Sequence, residues 1–364
     1  MTFFRPLMCL ALLLASCSGD EAPTEEFDLS TMLSQLGENV FLPTYRDAAS
    51  AAEALESAAT TYCAAPSDAG LSALEDAFRS AHVAFRAADA FAYGPHTDRP
   101  ERFGPKIDEF PVETADVQEL LTSTDGLALE DFQLRGNRTQ GFTVLDYLIF
   151  SSEDEVGSWS GRRCEYVVGQ SGRVREITAG YVQAWSPEGG DHLGEMVRGE
   201  GRYPGVFTAA SIVMEQLKFG LEFTRAIRVG KPFGERDAGR LQLDQFEAPN
   251  SRGSLAAVRR SVESARSVYL GRYEDRAGQV RDGLGVQDWV GSFRTDLDGP
   301  TLAEFDAVIA AIDAIEPDLE TAVENDGPAI QNVLDAFREL EATIQVDLAA
   351  AVGVSITFSP VDGD

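Results

Sequence analysis

Apolar residues recur at alternating steps of three and four through long stretches of the chain, and that spacing decides the fold class. Leu71, Leu74, Phe78, Ala81, Phe85, Ala88 and Ala92 form one stripe. Leu302, Phe305, Ile309, Ile312, Leu319 and Val323 form a second, with a polar break at Glu316. Ile330, Val333, Phe337, Leu340 and Ile344 form a third. Such steps keep side chains on one face of an α-helix, and long amphipathic helices bury those faces against one another in bundles. Capping residues agree: Ser67 and Asp68 open one helix, Ser251 and Ser254 another, and Asp326-Gly327-Pro328 separates the last two. The pattern predicts helices over 28–64, 67–92, 113–123, 137–150, 161–185, 204–229, 253–271, 300–323 and 328–351, with a break at 151–160. Only the tail 354–358 alternates like a strand, and it is too short to make a sheet alone.

The expected class is therefore all-α. A mature length of about 345 residues is more than one core usually serves, which predicts two domains, helical bundles over 28–157 and 158–364. Loop-rich insertions interrupt them at 93–111, which holds four Pro, and 186–203, which holds five Gly. Loops of this kind between rigid helices are where binding surfaces tend to lie.

The N-terminus reads as an export signal. Residues 1–16 carry one charge, Arg5, followed by the apolar run 7–14 and small residues. The end of this segment, Leu14-Ala15-Ser16-Cys17, has the form of a bacterial lipobox, with Cys17 as the lipid-bearing first residue; an ordinary signal peptide is the other reading. The polar, acidic stretch 17–27 then serves as a tether. No later stretch is apolar for long enough to span a membrane. The expectation is a periplasm-facing lipoprotein of the bacterial envelope, at the outer membrane because Ser18, not Asp, follows Cys17. Cys63 and Cys164 are left as an even pair in an oxidising compartment, which suits a disulfide; a metal held by both thiols is the alternative. Sixty acidic against thirty basic residues give a net charge of −30, which excludes nucleic acid as a partner. Solubility and attraction of cations are both compatible with that charge.

No phosphate-binding loop, zinc-peptidase helix, serine-hydrolase elbow or dinucleotide fingerprint is present. The segment 141–150, GFTVLDYLIF, places one carboxylate, Asp146, in an apolar helix. A buried charge needs a partner or a ligand. An arginine is the partner to expect. Of three His, His82 lies beside an apolar stripe and reads as a flank residue, and His96 sits in the Pro-rich loop with Asp98 and Arg99. His192 belongs to the Gly-rich loop.

Several ordered stretches resemble the imelysin-like family of bacterial envelope proteins. They are FAYGP at 91–95, Arg163-Cys164-Glu165-Tyr166 with Ala184-Trp185, Gly230-Lys231-Pro232-Phe233-Gly234, EAPNSRGSL at 247–255, and the C-terminal GVSITFSPVDGD. The resemblance spans 28–364 and implies an all-helical, periplasm-facing protein of two packed four-helix-bundle-like halves. The family signature G-x-H-x-x-E falls on Gly141, Thr143 and Asp146, so Thr stands in place of the His and Asp in place of the Glu. His and Glu at i, i+3 share a helix face and could hold one metal. Thr143 with Asp146 makes no transition-metal site by itself; Asp146 could hold a hard cation only with further oxygens. Gly190-Asp191-His192-Leu193-Gly194-Glu195 spells the signature literally but lies in a Gly-rich loop. The resemblance implies Gly141, Thr143, Asp146, Tyr93, His96 and Arg252 as ligand-binding positions and a metal ion or metal chelate, iron foremost, as ligand. It also implies an envelope protein or transporter as partner, and would bring Arg86, Arg99 and Arg252 toward the cleft as the arginines for Asp146 to pair with. Three functions follow: a non-catalytic binding protein in iron acquisition, a scaffolding lipoprotein with a vestigial cleft, and a metallopeptidase.

Overall fold

The stripes do form helices, and their ends follow local capping chemistry. The computed structural model describes residues 27–151 and 159–356. The expected signal peptide, Cys17 and its tether up to residue 26, most of the 151–160 break and the end of the tail lie outside those residues.

Asp28 caps α1 (Leu29–Leu36) by accepting the Thr31 amide at 3.0 Å. A π-helical stretch, Gly37–Phe41, carries it into α2 (Leu42–Ala64), with Pro43 in the first turn where no amide is needed. Ser67 caps α3 (Asp68–Arg86). That helix stops at Arg86, short of the expected residue 92, and the chain turns through 3-10 segments at 89–91 and 94–96. The Pro-rich insertion leads through α4 (Gly104–Ile107) to α5 (Thr114–Thr122) and α6 (Phe142–Phe150). Ser160 caps α7 (Gly161–Trp185). A short helix, α8 (His192–Arg198), stands where a Gly-rich loop was expected; Gly199, with φ 62°, ends it. Next come α9 (Val206–Phe223) with a π-helical extension, α10 (Lys231–Phe233) and α11 (Ser254–Leu270).

A two-stranded antiparallel hairpin follows, β1 (Arg272–Glu274) with β2 (Val280–Asp282), Tyr273 opposite Arg281. The chain ends with α12 (Val286–Gly291), α13 (Asp298–Asp313), α14 (Leu319–Asn325), α15 (Gly327–Ala342) and α16 (Ala349–Ala351). The expected helix 300–323 is two helices. Pro317 cannot continue one, and Asp318 caps the second through Thr321 N at 2.7 Å.

Two helical groups result. α2 packs along α7 and α3, and α6 lies against α7 and α3. In the second group α13 packs on α15, and α11 on α13 and α9. α7 therefore belongs with the N-terminal helices, whereas a division after residue 157 places it with the C-terminal half. The Cys63–Cys164 disulfide, Cα–Cα 5.5 Å, fastens α2 to α7 within the same group. Stacked and edge-on aromatic rings of Phe41, Tyr45, Phe91, Tyr181 and Trp185 fill the space between α2, α7 and the 89–91 turn. Each such pair adds about 0.5–1.5 kcal/mol beyond its burial. That turn also packs on α9 and α11, so it lies at the junction of the two groups.

Candidate functional site

The α6 helix begins at a glycine because nothing else fits. Gly141 has φ +86°, its amide donates to Gln170 Oε1 at 2.7 Å, and a Cβ there would stand 2.2 Å from the Ile107 carbonyl oxygen. One turn on, the buried Thr143 hydroxyl donates to the Glu109 carbonyl at 2.9 Å. Asp146, 1 % exposed, accepts three hydrogen bonds: Asn250 N at 3.0 Å, Asn250 Nδ2 at 2.8 Å and Ser251 N at 2.9 Å. Its partners are thus loop amides, not the arginine expected. Amide donors to a carboxylate satisfy the buried charge without a second ion. The face of α6 thereby grips two loops, 107–109 and 250–251.

The first carries Asp108 and the second follows Glu247 by three residues; both side chains enter a buried ionic cluster. His82 Nε2, from α3, lies 2.5 Å from Glu247 Oε1. Arg86 Nε is 3.0 Å from that same oxygen, its NH1 3.2 Å from Asp89, and its NH2 pairs with Asp108 Oδ2. Arg228 Nε meets Glu247 Oε2 at 2.5 Å, while its NH1 reaches Asp89 at 2.6 Å and Ser261 Oγ at 2.8 Å. Burial works against the Arg86 charge, but Asp108, Glu247 and Asp89 outweigh it and raise the guanidinium above its ordinary range. Burial would likewise raise Glu247; Arg228, Arg86 and His82 win and hold it well below a normal carboxyl. For Asp108 burial prevails over Arg86, and its carboxyl is pushed up to about 6.

The cluster lies between two cavities. One, of about 340 Å³, is lined by Arg86, Asp89, Asp108 and Arg228 on its ionic side and Phe219 and Phe223 on its apolar side. The other, of about 530 Å³, is lined by Thr143, Asp146, Glu247 and Asn250 among others. Asp108 Oδ1 is buried and has no hydrogen-bond partner. A family model described as Imelysin matches residues 41–345.

The chain belongs to the imelysin family. It is 25% identical over 285 residues to iron-regulated protein A of Synechococcus elongatus, covering 76% of this chain and 74% of that protein. Two crystal structures share the fold. An imelysin-like protein from Psychrobacter arcticum superposes with a TM-score of 0.74 at 17% identity, over 91% of this chain and 97% of the other. An iron-regulated protein A precursor from Parabacteroides distasonis does so with 0.73 at 18%, over 89% and 95%.

Gly141, Thr143 and Asp146 come together, but both polar groups are engaged in holding loops. His96 borders the smaller cavity, with Nδ1 2.7 Å from the Tyr181 hydroxyl; burial lowers its pKa to about 4, so the ring is neutral at pH 7. Tyr93 is a core residue, packed edge-on against Trp185 with its hydroxyl 3.5 Å from Met196 Sδ. Arg252 is exposed, with φ +57°, and faces Asp318 at 3.7 Å. In the literal motif at 190–195, His192 Nδ1 and Glu195 Oε2 both face the Arg202 guanidinium, at 3.1 and 2.9 Å. His192 is buried between Trp185 and Tyr203, whose hydroxyl meets its Nε2 at 2.7 Å, while Glu195 pairs with Arg202.

His82 overturns the expectation of a flank residue, since it is 2 % exposed and faces Glu247. Asp89, Asp108, Arg228 and Glu247 were not singled out by spacing. Glu247 does head the EAPNSRGSL stretch, which was the one available signal.

Proposed function

We propose that this chain is a non-catalytic binding protein of the bacterial envelope that takes part in iron acquisition, holding a metal ion or metal chelate at the junction of its helical groups. The observation that carries this reading is the ionic cluster with an unpartnered Asp108 oxygen on the wall of a cavity, beside a signature helix whose own polar groups are already engaged. The name of the Synechococcus relative supports iron as the context. A peptidase would need an activated water at the signature, and Thr143 and Asp146 supply neither an imidazole nor a free carboxylate. Lipid on Cys17 would hold the protein at the membrane, within reach of a transporter that takes over the ligand.

Deletion of the gene tests this reading. The strain should grow more slowly under iron limitation and take up less radioactive iron. The wild-type gene should restore both, and Cys17→Ala should restore neither fully. Normal growth and uptake in the deletion strain, with altered envelope integrity, would instead establish the scaffolding role.

A further inference from the structure

We infer that His82, Asp108 and Glu247 form a site for one divalent transition-metal ion, so that the imidazole missing at position 143 is supplied from α3. This inference rests on the binding-protein reading above and names the residues that hold the ion.

The ring of His82 lies 5.3 Å from that of Phe142, immediately beside the signature position. One ligand atom from each of His82, Asp108 and Glu247 lies within 4.8 Å of the others. One imidazole and two carboxylates make a ligand set suited to Mn²⁺, Fe²⁺ or Zn²⁺. The carboxylates are oriented as ligands of this kind are. Each has an oxygen held by an arginine, Asp108 Oδ2 by Arg86 and Glu247 Oε2 by Arg228, while Glu247 Oε1 also lies 3.0 Å from Arg86 Nε. Each leaves its other oxygen toward a different neighbour. Asp108 Oδ1 has no hydrogen-bond partner although the side chain is only 8% exposed. Glu247 Oε1 stands 2.5 Å from His82 Nε2, a separation that requires a proton between them.

The charges point the same way. Asp89, Asp108 and Glu247 bring three negative charges; Arg86 and Arg228 bring two positive ones. The buried cluster therefore lacks one positive charge, and an uncompensated buried charge is costly. A proton on the His82–Glu247 contact supplies it in the absence of metal. A divalent ion in the place of that proton brings two, gives Asp108 Oδ1 a partner and leaves one positive charge for an anionic ligand to balance. Asp108 faces the smaller cavity and Glu247 the larger, so coordination positions not filled by the protein can open to water or to a chelating ligand.

The test uses the purified mature protein stripped with a chelator. Titration with Mn²⁺, with Zn²⁺ and, without oxygen, with Fe²⁺ should show one equivalent bound. His82→Gln and Asp108→Asn should each weaken binding about tenfold or more, while Glu195→Gln in the literal motif should leave it unchanged. Because removal of a buried group can impair folding, the unmutated protein supplies the second measurement: crystals soaked in Mn²⁺ should show an anomalous peak among His82, Asp108 and Glu247. A peak elsewhere, or no stoichiometric binding, overturns the inference. If iron uptake still depends on the gene in that case, the binding-protein reading stands and only the metal assignment falls.

Discussion

Gly141 and Asp146 fix α6 against the chain at 107–109 and 250–251. Gly141→Ala would push a methyl group to 2.2 Å from the Ile107 carbonyl at a φ of +86°. It should destabilise the protein by about 1–3 kcal/mol from backbone strain alone, read by urea unfolding. Asp146→Asn keeps the size but offers one acceptor oxygen to three donors and sets an NH₂ against them. A loss of about 2–4 kcal/mol is expected, and a change below ~1 kcal/mol would contradict the role given to Asp146. The need for a partner at Asp146 was legible in an apolar helix carrying one charge. Its identity was not, because the donors lie 104 and 105 residues away in the sequence. His82 was misread for a related reason. A position beside an apolar stripe looks the same whether it meets water or a buried carboxylate from another loop.

Helices were the most legible elements, because period and caps are local. The α7 boundaries, 161–185, are those the sequence predicts. Divergences arise where the pattern stays in phase across a break. The α13 and α14 helices bury one continuous stripe, so periodicity alone joins them, and only Pro317 marks the interruption. The β1–β2 hairpin carries charged residues on both strands and exposes most of them, which left no alternation to read. The tie between α2 and α7 was visible as an even pair of cysteines. With the bonded positions 101 apart in sequence, Cys63→Ser should cost about 4–5 kcal/mol in the chain-entropy model. Denaturant midpoints with and without reductant check this: the wild-type midpoint should fall on reduction, and the variant should not respond.

For the whole molecule, buried histidines set how it meets acid. Burial, followed by the nearby Arg202 charge, lowers His192 from 6.5 to about 3. Burial lowers His96 to about 4. The unfolded chain takes up both protons near pH 6.5, whereas the folded chain refuses them until far lower pH. The stability these groups contribute is therefore complete above pH 6.5 and lost as pH falls toward their folded values, at about 1.4 kcal/mol per pH unit for each. Asp108 acts in the opposite sense. Its folded value near 6 lies above the ordinary 3.8, so its contribution is complete below 3.8 and is lost as pH rises to about 6. One carboxyl thus offsets part of the acid sensitivity of two imidazoles between pH 4 and 6. A single variant separates them. In His192→Gln the Tyr203 hydroxyl can keep an amide neighbour in place of the Nε2–H, and the group that titrates is gone. The variant should be less stable than wild type at pH 7. Between pH 6.5 and 4.5 the gap should narrow by about 2–3 kcal/mol, since wild type alone loses the His192 contribution and all other groups cancel. Urea unfolding at half-unit pH steps measures the gap; parallel curves would mean that His192 is protonated in the folded state, and its burial against Trp185 would then demand a carboxylate partner.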